Sequence, residues 1–259
     1  MGSFRGRGPR GTDVLVDASE YFGDDRERAE PAAPNPPAEH AWQPSLFGQG
    51  EPLPDPHFSG LTRHQLDATA WVDHAVGWLS GADSLFAELM GSAPWESTTQ
   101  ELYGKVVITP RLVARWPAPA DLAALPAVVA RMLELLVQRY ERPFDSVSAN
   151  LYRDGRDSVA WHGDHIPRRI VDPVVATVSL GHPRRFVMRP REGKTERSLA
   201  LGMGDLVVMG GTSQRTWLHA VPKVATAGPR ISIAYRQALH LTTRSYCSQK
   251  MPTETELPS

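Results

Sequence analysis

Two histidines and an aspartate are the residues in this chain best suited to hold a metal ion. His162 and Asp164 stand two apart in Trp161-His162-Gly163-Asp164. In an extended strand, residues two apart project to the same face, so an imidazole and a carboxylate there can converge on one point. His219, within the run Thr216 to Val221, supplies a second imidazole. Two histidines and one carboxylate form the facial set that binds non-haem Fe(II) and leaves coordination positions open. Zinc accepts the same donors, and a His-x-Asp pair by itself also fits a surface turn. Farther along, Arg230 and Arg236 flank Ile231-Ser232-Ile233-Ala234-Tyr235. Their even separation puts both guanidinium groups on the strand face opposite Ile231, Ile233 and Tyr235. On an exposed face that is ordinary. Inside a barrel, two cations demand anionic partners. A dicarboxylate such as 2-oxoglutarate would supply them, because arginine grips a carboxylate through two parallel N–H bonds.

These residues need strands to present them, and the second half of the chain has the pattern of strands. After Pro143, short apolar or alternating runs cover Val147 to Tyr152, Val159 to His162, Val174 to Leu180, Arg185 to Met188, Ser198 to Leu201, Leu206 to Met209, Thr216 to Val221 and Ile231 to Tyr235. Turn residues separate them, among them Asp154-Gly155, Gly181-His182-Pro183, Gly210-Gly211 and Gly228-Pro229. Strands that follow one another without helices pair antiparallel, in a sandwich or jelly roll. The first half reads differently. A helix is expected over Leu61 to Leu79, stopped by Gly81, and a shorter one over Ala82 to Leu89. The clearest helix runs from Pro126 to Tyr140, where Leu125, Val128, Val129, Met132, Leu135 and Leu136 share one face. The fold class is therefore α+β, mainly β, with helices N-terminal to the strands. Residues 1–58 are crowded with proline and poor in apolar side chains, so they are expected to be disordered. The domain is expected to cover residues 59–240, with a flexible tail over 241–259.

Composition narrows the class further. The chain's 259 residues suffice for one domain with its own core. No run approaches the roughly 18 apolar residues of a membrane span. Met1 to Gly11 carries three arginines and no apolar core, unlike a secretory signal. The single cysteine, Cys247, excludes an intramolecular disulfide and any cysteine-built metal cluster. A cytoplasmic monomer without a membrane partner is expected. The formal net charge is -1, yet Arg168 to Arg197 holds eight basic residues against three acidic ones, a local +5. Such a patch suits either phosphates or a solvated surface.

Taken in order, these residues resemble the catalytic core of the AlkB family of Fe(II)- and 2-oxoglutarate-dependent dioxygenases. The matching pattern is Asn150-Leu151-Tyr152, then His162 and Asp164, Ser179-Leu180-Gly181, Gly204-Asp205, His219, and finally Arg230 with Arg236. The likeness spans roughly residues 85 to 237. It implies a double-stranded β-helix (jelly roll) core with flanking N-terminal helices. Fe(II) would be held by His162, Asp164 and His219. Asn150, Tyr152, Arg230, Ser232 and Arg236 would meet 2-oxoglutarate, and O2 would be the other co-substrate. It implies oxidative removal of alkyl groups from bases of DNA or RNA, single- or double-stranded. Tyr103 through Arg111 is similar to the family's nucleotide-recognition region, so Tyr103, Lys105 and Arg111 are candidate substrate contacts. Trp161, His165 and Arg189 join them from the neighbourhood of the metal residues.

The sequence departs from the family at three places. Ser232 stands where an asparagine is frequent. Ile166 stands where DNA-repair members often carry an acid. The aromatic lid after Arg111 is reduced to Trp116. These departures bear on the substrate more than on metal or co-substrate. The competing readings are a hydroxylase of proteins or small molecules on the same fold, and a non-catalytic nucleic-acid-binding module. A zinc hydrolase fits less well, since no general base stands beside the triad.

Overall fold

Strands dominate the residues that the computed structural model describes, namely 50–102, 105–116, 121–193 and 197–237. In chain order they are β1 (Leu53–Pro54), β2 (Leu61–Gln65), β3 (Ala70–Ala75), β4 (Leu79–Ser80), helix α1 (Ala82–Ser92), β5 (Glu96–Leu102), β6 (Lys105–Trp116) and helix α2 (Ala127–Tyr140). Then come β7 (Ser146–Tyr152), β8 (Val159–His162), β9 (Val175–Gly181), β10 (Arg184–Pro190), β11 (Arg197–Leu201) and β12 (Leu206–Gly211). The short helix α3 (Ser213–Thr216), β13 (Trp217–Val221) and β14 (Arg230–Arg236) close the described chain.

The strands form a larger sheet of eight, ordered β2-β3-β12-β9-β14-β7-β6-β5, and a smaller one of four, ordered β11-β10-β13-β8. Every pairing in both is antiparallel. The core lies between the sheets. Val72, Tyr152, Val175, Val207 and Met209 come to it from the large sheet; Phe186, Met188, Leu201, Trp217 and Val221 come from the small one. Burying each such side chain contributes roughly 1.5–3 kcal/mol, which makes this contact the main source of stability. The result is the jelly-roll architecture that the strand pattern implied.

The two longer helices cover the outer face of the large sheet. On α2, Val129, Met132, Leu133, Leu135 and Leu136 are buried, as their spacing requires. The Tyr235 hydroxyl of β14 donates to the Val129 carbonyl at 3.2 Å and ties α2 to that strand. Gly181 ends β9 with φ +85°, and a Cβ there would lie 2.7 Å from Phe86 of α1. Only glycine allows both the turn and the close approach.

Three expectations need correction. The helix expected over Leu61 to Leu79 is instead the hairpin β2–β3, register Leu61↔Ala75 to Gln65↔Trp71. Ala70 and Val72 face the core, and Trp71 faces the other side, stacked on Tyr140. The turn is made by Asp67, whose carboxylate accepts from the Thr69 and Ala70 amides at 2.8 Å. Such an Asx turn breaks a helix. The boundary expected at residue 58 falls too late: β1 pairs with β4, and Phe58 is buried and stacked on Trp78. Residues 1–49 and 238–259 lie outside the described residues. Finally, Trp116 is no lid aromatic. It is buried at the end of β6, in register with Val147.

Candidate active site

The cavity opens between the two sheets and has a volume of about 210 Å3. Its floor is built from alternate residues of adjacent strands: Arg111, Val113 and Arg115 of β6, Ser148, Asn150 and Tyr152 of β7, and Arg230, Ser232, Ala234 and Arg236 of β14. Register explains the gathering. Tyr152 lies opposite Arg230, Asn150 opposite Ser232 and Ser148 opposite Ala234. His162 and His219 face them from the small sheet, where they are register partners across β8 and β13.

The imidazole rings of His162 and His219 stand 4.2 Å apart between centroids. Together with Asp164 they form one cluster whose donor atoms all lie within 4.8 Å of one another, the sole such group of three among the described residues. Asp164 is not on the strand, which ends at His162. It converges through the loop that follows, held where the Asp164 N–H donates to the Gln214 side-chain carbonyl at 2.8 Å. Gly163 must be small, because a Cβ would meet the Gln214 carbonyl oxygen at 2.9 Å. His165 is exposed and His182 is exposed, and both stay outside the cluster.

Protonation is already arranged for metal binding. The His162 Nδ1–H donates to the Ala160 carbonyl at 2.8 Å, which leaves Nε2 free to meet a metal. Burial pushes the His162 imidazolium down, and it pushes His219 down to about 3, helped by the neighbouring His162. Both rings are therefore neutral at pH 7. For Asp164, burial acts to raise the carboxyl, but the Arg236 guanidinium outweighs it and holds the group ionised. Arg236 Nε donates to Asp164 Oδ1 at 2.7 Å, and its Nη1 donates to Ser148 Oγ at 2.7 Å. Asp164 Oδ2 is buried and has no hydrogen-bond partner among the described residues. It is an anionic oxygen awaiting a cation. His219 Nε2 lies 3.5 Å from it, too far for a strong bond.

Arg230, at the other end of β14, is 1% exposed. Its Nε donates to Ser179 Oγ at 3.0 Å, while Nη1 is buried without a partner among the described residues. Leaving a buried donor on a charged group unpaired is costly, so the geometry suits a bound anion. The donor set thus fits both halves of an Fe(II) and 2-oxoglutarate site: two neutral imidazoles and a carboxylate oxygen, with an unmatched guanidinium in the same cavity.

Residues 113–244 match the 2OG-Fe(II) oxygenase superfamily. The chain belongs to that superfamily. The oxygenase is 30% identical over 183 residues to the alpha-ketoglutarate-dependent dioxygenase alkB homolog 3 of Bos taurus, across 61% of this chain and 62% of that protein. It is 31% identical over 185 residues to the DNA oxidative demethylase ALKBH2 of Arabidopsis thaliana, across 56% of this chain and 59% of the relative. The chain therefore matches somewhat under two thirds of these curated relatives' length. Fe(II), 2-oxoglutarate and O2 are the superfamily's metal and co-substrates.

Of the described residues expected to meet substrate, only Arg111 lines the cavity. Its Nε donates to Asn150 Oδ1 at 3.0 Å, so it also fixes that amide with the NH2 end as the donor. Trp161 is half-buried beneath Arg189, whose guanidinium lies 4.5 Å from the ring centroid, and both sit outside the cavity lining, as does His165. Tyr103 and the side chain of Lys105 lie outside the described residues. The basic stretch from Arg168 to Arg197 is not one surface patch. Arg184 is 3% exposed and bonded to backbone carbonyls, and Arg191 Nε donates to the Arg215 carbonyl. Sequence reasoning passed over Ser148, Arg115 and Gln214, and quoted Ser179 only as part of a strand-end match, without a role at the site. Counting back by twos from Tyr152 along β7, and from Arg111 forward along β6, would have found Ser148 and Arg115. Nothing marks Gln214, since its role depends on a tertiary contact.

Gln214→Ala removes the acceptor that fixes the Asp164 loop, so metal affinity should fall about 10- to 100-fold, as is usual for lost outer-shell partners. Titrating metal-free protein by calorimetry checks this, and an unchanged affinity would remove Gln214 from the site. An unfolded histidine titrates near 6.5 and His219 near 3. Between these values the unfolded chain binds more protons, so the metal-free fold should lose stability as pH falls from about 6.5 towards 3, by at most about 1.4 kcal/mol per unit from this residue. Urea denaturation at pH 7.5, 6 and 5 measures the slope, which His219→Gln should flatten.

Proposed function

We propose that this oxygenase removes alkyl groups oxidatively from nucleobases, with His162, Asp164 and His219 as the Fe(II) ligands and Arg230 as the anchor for the distal carboxylate of 2-oxoglutarate. The observation that carries the reading is the buried Arg230 Nη1, without a partner among the described residues, in the cavity that also holds the His-Asp-His cluster. Asn150 and Tyr152, on the adjacent strand, provide neutral donors beside it. Ser232 lies between the two arginines on the same face. Arg236 stays on Asp164, keeping the carboxylate charged and turning Oδ2 towards the metal position.

With Fe(II), 2-oxoglutarate and O2 bound, the available chemistry is hydroxylation of the carbon attached to a base nitrogen, the co-substrate leaving as succinate and carbon dioxide and the hemiaminal collapsing to an aldehyde and the restored base. The chain's part is to position and to exclude water. Phe186 stacks on His219 with centroids 5.4 Å apart and closes one side of the site. The substrate class draws support from the relatives, one of which is named a DNA oxidative demethylase. It also draws support from charge. Four arginines line the cavity against one carboxylate, Asp164. Fe(II) and a dianionic co-substrate cancel one another, so the surplus remains and favours a substrate that carries phosphate. Ile166, buried in the core at the place of the usual acid, makes no polar contact with a base edge. Tolerance of several alkylated bases follows.

The deciding experiment incubates the protein with Fe(II), ascorbate, 2-oxoglutarate and an oligonucleotide bearing N1-methyladenine or N3-methylcytosine, and follows base mass and succinate together. Loss of the methyl group with stoichiometric succinate is expected. Succinate without base repair would move the substrate to a protein or small molecule. His162→Ala should abolish both products while the melting temperature of the metal-free protein stays close to that of the parent. Arg230→Ala leaves a buried carboxylate without its partner, a loss of about 3–5 kcal/mol. Its apparent KM for 2-oxoglutarate should rise by two orders of magnitude or more, and an unchanged KM would place the co-substrate elsewhere.

A further inference from the structure

We propose that Arg184 is a positioning residue for the co-substrate, a second buried cation behind Arg230 that sets affinity for 2-oxoglutarate without touching it; this rests on the reading of Arg230 given above. Arg184 opens β10 and is 3% exposed. Its Nη1 donates to the Asp154 carbonyl at 3.1 Å, and its Nη2 to the Asp157 and Pro222 carbonyls at 3.0 and 2.6 Å. Among the described residues no carboxylate hydrogen-bonds to it. The nearest two are already taken: Asp157 by Arg153 at 2.8 and 2.9 Å, and Asp154 by Arg156 at 2.7 Å. Arg184 Nε has no partner among the described residues. Its hydrogen bonds go to carbonyl dipoles, with the ring of Tyr152 beside it.

The place of that charge gives it a use. Arg184 and Arg230 both lie against the ring of Tyr152, at 5.7 and 5.1 Å from its centroid. Tyr152 and Arg230 line the cavity; Arg184 does not. It stands one layer behind. Burial lowers the proton affinity of both guanidinium groups, and the charge on Arg184 lowers that of Arg230 further. Two like charges packed around one phenol repel each other until an anion arrives, and an anion at Arg230 feels both. A neutral amide at position 184 would offer these carbonyls two N–H groups and supply none of this field. The cation–π contact also fixes the Tyr152 ring, and with it the direction of its hydroxyl.

The test measures 2-oxoglutarate binding by calorimetry on the full chain loaded with Fe(II) under nitrogen, together with kcat and KM in air. Arg184→Gln should weaken binding about ten-fold, the scale expected for one charge at medium range in a partly polar interior. KM should rise in step while kcat changes less than about two-fold. Arg184→Lys, which keeps the charge, should bind within about three-fold of the parent. A structural brace predicts otherwise: both variants would melt earlier and neither would change the dissociation constant, which would overturn the proposal. Should Arg184→Gln not fold, the lysine variant decides alone, since weakening as severe as that of Arg230→Gln would mean that carbonyl geometry and not charge matters. Arg230→Gln separates the two claims. If it leaves binding unchanged, the anchor assignment itself fails; if it weakens binding and Arg184→Gln does not, only the role of Arg184 falls.

Discussion

A full positive charge held between two sheets, with no carboxylate bonded to it among the described residues, is the constraint around which this molecule is arranged. Arg230 tolerates that position because β14 is central in the large sheet, flanked by β7 and β9, so its backbone is satisfied on both edges. The outward residues Ile231, Ile233 and Tyr235 bury completely beneath the helices, and their apolar area offsets the cost of turning the arginines inward. A strand with one apolar face and one cationic face has a single stable placement. Slipping the register by one residue would send the guanidinium groups into the helix layer and Tyr235 into the cavity.

The same constraint orders the rest of the site. At the far end of β14, Arg236 finds its counter-charge in Asp164, so the two arginines of one strand meet opposite fates: one paired, one waiting. Asp164 in turn stays ionised despite burial because Arg236 is there. The cavity is therefore graded along one strand, from a neutralised end where a metal is proposed to bind to a cationic end suited to a carboxylate.

Legibility followed the same physics. The strands after Pro143 could be read because each is a short apolar or alternating run between turn residues, and the even spacing of Arg230 and Arg236 placed both on one strand face. The His-x-Asp pair was found by a rule that only half applies, since His162 ends its strand and Asp164 converges from a loop. The hairpin at Leu61 to Ala75 was misread because the apolar residues between Leu61 and Leu79 also suit a helix; the Asx turn at Asp67 was the overlooked signal. Gln214 and Arg184 could not be read at all. Their partners are backbone groups and loops brought near only by the fold, and no local pattern encodes such a contact.

The three proposed ligands differ in how firmly they are held, and this bears on how the site works. His162 and His219 are register partners on paired strands, held by the pairing of β8 with β13. Asp164 rides on a loop whose anchors are side chains, Gln214 on its amide and Arg236 on its carboxylate. Arg215 clamps the continuation of that loop through the carbonyls of Ile166, Pro167 and Ile170. Gln214 and Arg215 are neighbours on the four-residue helix that leads directly into the strand of His219. One short segment thus sets the position of the carboxylate and of the second imidazole together. The distance between them is a property of that turn, which is why a residue with no chemistry of its own can govern the metal set.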